Sequence, residues 1–159
     1  MSTLQQHRAA ILAKMLTVEQ LGRVHDEEPY AREQAAFQAL YLWDVGVGQK
    51  QLRGWHIRRT ATRETTLGVG RVVNAHTWRM QGFMALQWPG SGKAFDDLVE
   101  QLRHAFRTDE TLGGVTVPGP INQPTGLQLL DSNPVMFVGV LCHAATLQLT
   151  TYAYLNTDD

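Results

Sequence analysis

Cysteine is nearly absent from this sequence: Cys142 stands alone, so no internal disulfide can form and every zinc site built on two thiolates is excluded. A reducing compartment is the expected setting. Charge is scarce as well, at 18% of residues against the roughly 25% usual in soluble domains. The 14 basic and 15 acidic side chains leave a net charge of −1, so no global field draws the chain to nucleic acid or to an acidic membrane. Long apolar runs are missing too. The longest, 135–142, is far short of the ~20 residues that cross a bilayer, and Gln5, Gln6, His7, Arg8 and Lys14 break up the N-terminus. The expectation is a chain neither exported by a signal peptide nor embedded.

What is present is an apolar fraction of 43% over 159 residues, enough for one core and one domain spanning 1–159. The polarity is carried by uncharged side chains, 15 Thr and 13 Gln, which suit β-surfaces and contact surfaces. This composition points to an assembly protein.

Ser2 can cap a helix in which Leu4, Ile11, Leu12, Met15 and Leu16 recur at spacings of three, four and seven, an amphipathic pattern. After the acidic stretch His25-Asp26-Glu27-Glu28, Pro29 is placed to open a second helix reaching Tyr41. Residues 44–51 hold two glycines without periodicity and read as a loop. Two β-rich arms, 55–63 and 71–86, flank the glycine-bearing segment 64–70 and predict a long antiparallel hairpin, an arm of roughly 30 Å at ~3.3 Å per residue. Its tip carries Leu67, Val69, Val72 and Val73, which must either fold back onto the domain or meet a partner. A Pro/Gly turn at 87–93 leads into the clearest helix, with Phe95, Leu98, Val99, Leu102 and Phe106 as its apolar stripe. The segment 112–133, broken by Pro118, Pro120 and Pro124, allows short strands and an extended loop. From 135 to 155 the odd positions are apolar with one period of two, a β-run of about 70 Å that has to bend, break near His143 or leave its own domain.

Chemical motifs are weak. The segment Trp88-Pro89-Gly90-Ser91-Gly92-Lys93 lacks the Gly and the Ser/Thr that a phosphate loop needs at Gln87 and Ala94, and reads as a tight turn before a helix. Cys142 and His143 are adjacent, so on a strand they point to opposite faces and cannot share a proton. The ligand types in His25, Asp26, Glu27 and Glu28 fan outward without helical metal spacing, and His76 and His104 have no visible partner. Arg58, Arg59, Arg63, Arg71 and Arg79, with Trp55 and Trp78, are the closest approach to a nucleic-acid patch. Simple alternation spreads them over both faces, Glu64 offsets part of the charge, and Arg and Trp are equally interface residues.

Three segments carry a resemblance: Val24-His25-Asp26 with Pro29, then Gly54-Trp55-His56-Ile57-Arg58, then 136–144, Met-Phe-Val-Gly-Val-Leu-Cys-His-Ala. With the helix from Phe95 to Phe106 and the order of elements, the chain resembles the lambda-type tail terminator proteins of long-tailed, siphovirus-type bacteriophages. The resemblance implies an α/β (α+β) fold, a mixed, mainly antiparallel sheet with a long β-hairpin packed against two or three helices. It also implies a virion structural protein rather than an enzyme, with no cofactor or metal. Such a subunit forms a ring, hexameric in expectation, at the head-proximal end of the tail tube in the neck. It is assembled in the host cytoplasm, stops tube polymerisation and joins the tail to a head-completion or connector protein, and phage DNA passes through its lumen without sequence-specific binding.

A head-to-tail ring needs two different complementary faces on one subunit. Candidates are the hairpin, through Trp55, Arg58, Arg59, Arg63, Leu67, Val69 and Arg71, and the even face of the closing strand, through Met136, Val138 and Val140. The alternatives are another neck or tail component, a head-completion or tube protein, and a small intracellular enzyme or ligand-binding domain in which His143 works with His76 or His104.

Overall fold

The computed structural model describes residues 1–157. Its elements in chain order are α1 (Thr3–Met15), β1 (Arg23–His25), α2 (Gln34–Ala39), β2 (Leu42–Gly46), β3 (Gln49–Gly68), β4 (Arg71–Ala85), α3 (Ser91–Arg107), β5 (Gln128–Phe137) and β6 (Val140–Asn156). The sheet runs β1-β3-β4-β6-β5, with β2 also paired to β3; only the β1–β3 pairing is parallel. The fold is therefore α+β with a mixed, mostly antiparallel sheet of six strands and three helices.

Two cores lie on the two faces. The larger joins Ile11 and Met15 of α1 and the stripe Phe95, Leu98, Val99, Leu102 and Phe106 of α3 to Trp55, Ile57, Trp78, Met80 and Leu147 of the sheet. The smaller, on the other face near the β5–β6 turn, is Tyr41, Leu52, Phe83 and Cys142 with Phe37, Leu40, Phe137 and Val140 packed against it. Ser2 caps α1 as its sequence suggests, its hydroxyl accepting from the Gln5 N–H at 3.2 Å. The buried face of α1 is His7, Ile11 and Met15, one residue per turn, and Leu16 is left in water instead of joining it.

Three expectations are corrected. The second helix does not reach from Pro29 to Tyr41; α2 covers Gln34–Ala39 because Leu42 and Trp43 are drawn into pairing with Leu52 and Gln51 of β3. Residues 44–51 are not a loop but the β2–β3 hairpin, turning at Val47 (φ +50°) and Gly48 (φ +75°). The run 135–155 does break, one of the outcomes its length allows, but not at His143. It breaks five residues before His143, at Val138 (φ +50°) and Gly139 (φ +79°), and folds into the β5–β6 hairpin. Both turns have two successive positive-φ residues, the geometry that matches strand twist, but each puts Val where Asn or Asp usually stands.

The long hairpin is present and longer than expected. β3 pairs with β4 from Arg53↔Met84 to Gly68↔Arg71, and β6 follows β4 to the same end, Arg71↔Asn156. The arm is thus three-stranded, and its outer strand β3 is exposed at every residue from 58 to 68.

Candidate assembly surfaces

At the arm's tip, Leu67 is 52% and Val69 104% exposed, with Gly70 at φ +73° completing the turn. The tip does not fold back onto its own domain. Leaving a Leu or Val side chain in water forgoes about 1.5–3 kcal/mol relative to burial. The flanking Val72 and Val73 are half-buried. At the other end of the strands a second apolar set is exposed: Trp88 at 90%, Met136 at 67%, with Leu141 paired across from Met136. Beside it Leu86, Trp88, Pro89, Ser91, Lys93 and His143 line a groove of about 460 Å³. The 15 residues of β4 put the two apolar ends roughly 50 Å apart.

The candidate interface residues divide. Trp55 is a core residue and not an interface residue: it is fully buried, its Nε1–H donates to the Leu21 carbonyl at 3.1 Å, and it stacks on Phe95. The even face of 136–142 does not exist as a face, because the turn at Val138 reverses the chain. Met136 points with Leu141 to solvent, Val138 sits in the turn, and Val140 packs with Phe137 on the smaller core.

The arginines divide differently from simple alternation. A β-bulge between Arg59 and Ala61 inserts Thr60 and shifts the phase of β3 by one residue. Arg58 stands opposite Arg79, Arg63 opposite Ala75, and Arg71 lies two residues before Val73 in the same phase, so all four guanidinium groups share the face of His56 and Phe83. Arg59 goes to the other face, where its guanidinium donates to Thr62 Oγ1 at 2.8 Å. Glu64 also faces that way, opposite Asn74, and does not offset the four. Glu28 approaches Arg58 at 3.6 Å on the surface.

The histidines are held in separate places. His143 Nε2 lies 2.8 Å from Ser91 Oγ at the start of α3, and its ring stacks on Phe95. His76 is opposite Thr151, eight residues further along β6, roughly 26 Å away. It sits 2.7 Å from Thr62 Oγ1, edge-on to the buried ring of His7. His104 belongs to the far half of α3, 13 residues beyond Ser91, or roughly 20 Å. The structure thus does not bring His143 together with either. Cys142 lies in the smaller core, where burial pushes its thiol up to about 11, on the opposite face from His143. Among the described residues no three His, Cys, Asp or Glu side chains converge as a metal site.

A buried polar cluster escaped sequence reasoning altogether. Trp78 Nε1–H donates to Thr151 Oγ1 at 2.8 Å, and the same oxygen lies 2.8 Å from His7 Nδ1. Its one sequence signal is His7 itself, four residues before Ile11 and so on the same helical face. No protein-family model matches the chain, and no curated protein matches it.

Proposed function

We propose that this protein is a virion structural subunit of the tail terminator kind. It assembles head-to-tail into a ring, hexameric in expectation, that closes the head-proximal end of a phage tail tube and receives the head-completion protein. The observation that carries the reading is the pair of apolar ends: Leu67 and Val69, exposed among the described residues at the tip of the arm, and Trp88 with Met136 at the other end of the same strands. Two different sticky faces on one subunit produce heterologous contacts, which close into rings when the rotation permits. The resemblance of the three sequence segments supplies the biological setting.

Deleting the gene from a phage that encodes the protein, and imaging the lysate by negative-stain electron microscopy, tests the reading. Overlong tails unattached to filled heads are the expected result. Particles of normal form would remove the virion role, and heads without any tail tube would assign the chain to the tube itself.

A further inference from the structure

We propose that the sheet face carrying Arg58, Arg63, Arg71 and Arg79 is a sequence-independent contact surface for the phosphate backbone of nucleic acid. The inference does not rest on the ring reading. It begins with an arrangement that folding alone disfavours. Arg58 and Arg79 are directly opposite on neighbouring strands and on the same face, and like charges so placed are destabilising. Among the described residues only Arg58 of the four forms an ion pair, and that contact with Glu28, at 3.6 Å between exposed side chains, is weak. Arg63, Arg71 and Arg79 are exposed.

The spacing is regular. Arg79, the Arg63 level at Ala75, and Arg71 follow one another at four-residue steps along β4, about 13 Å each, so the charges form a line of roughly 26 Å along the arm. Between and beside them the face bears the hydrogen-bond donors Thr77, Gln81, Thr146, Gln148 and Thr150; Asp131, opposite Thr146 on β5, adds one carboxylate on the side away from β3. Guanidinium forks match phosphate oxygens bidentately, and hydroxyl and amide groups are the usual companions in backbone contacts.

A protein partner suits this surface less well. Protein interfaces centre on apolar anchors with charge pushed to the rim, whereas here the arginines line the middle of the face with Tyr154, 55% exposed opposite Val73, beside them, and Val69 and Trp88 lie at the ends of the strands. Interfaces with nucleic acid are more polar and far more positive. The net charge of −1 does not oppose this, because the bulge at Thr60 gathers four arginines on a side that also holds Glu28 and Asp131, while Asp96, Asp97 and Glu100 occupy α3 on the other.

The test uses the full chain and a labelled 30-base-pair duplex, titrated by fluorescence anisotropy in 50–200 mM salt. With three to four phosphates neutralised, the logarithmic salt slope is expected near −3, a loss of about 60-fold in affinity across that range. Two unrelated duplex sequences should bind equally. The triple variant R63Q/R71Q/R79Q should lose most of the binding and most of the slope. Should it fold poorly, the single Arg79→Gln variant, which relieves the Arg58–Arg79 opposition, should fold at least as well as the parent and lower the slope by about one. The proposal is overturned by absence of salt-dependent binding at 50 mM, by an unchanged triple variant, or by strong preference between the two sequences. Loss of self-association in the triple variant with duplex binding intact would also overturn it, and would give the face to a second copy of the chain.

Discussion

Trp55 lies flat against the backbone of Gly82, its cross-strand partner: a Cβ on Gly82 would fall among the Cδ2, Cε2 and Cε3 atoms of the indole. The ring sits there because Phe95 stacks on its other side and the Leu21 carbonyl holds its N–H. Glycine at 82 is therefore part of how the sheet accepts α3.

Gly82→Ala should destabilise the fold by about 3 kcal/mol, since the indole has no free volume to move into between Phe95 and the sheet. Urea unfolding checks this. A loss below ~1 kcal/mol would mean that the Trp55 pocket is far looser than the stacking suggests.

Acid should weaken the protein through His7. Burial, and then the neighbouring His76, push its pKa down from 6.5 to about 4. Above pH 6.5 the imidazole is neutral whether folded or not. As pH falls from 6.5 towards 4 the unfolded chain takes up a proton that the folded chain refuses, so stability is lost across that window, by up to about 3 kcal/mol. His56 and His76, also lowered mainly by burial, act with the same sign. Unfolding measured from pH 7 to 4.5 should show the decline, and His7→Gln should flatten it. An equal slope in the variant would acquit His7.

Val47 holds φ +50° at a fully exposed turn, a conformation that β-branched residues resist. Val47→Asn should relieve the strain and raise stability by about 1 kcal/mol, or roughly 2–4 °C in Tm. A thermal melt decides it, and a lower Tm would show that the valine makes a contact the turn geometry conceals.

Much of the architecture was legible because it is written in local periods. The stripe from Phe95 to Phe106 repeats at helical spacing and becomes α3; the alternation on either side of 64–70 becomes the β3–β4 hairpin; Ser2 caps the helix it precedes. The β2–β3 and β5–β6 turns were hidden for a chemical reason. Val-Gly gives no Asn or Asp signal, so 44–51 reads as a loop, and a break in 135–155, if any, is expected near His143 and not at Val138.

The sequence by itself determined the apolar tip, the lone thiol and the helix that covers the main face, since each depends on residues close together in the chain. Only the tertiary structure decided which arginines share a face and which tryptophans are core. A bulge is a mismatch between two strands, so the phase shift at Thr60 exists only in relation to β4, and no pattern within β3 announces it. Trp55 likewise has the composition of an interface residue; it is core because Gly82, 27 positions away, leaves it a place to lie.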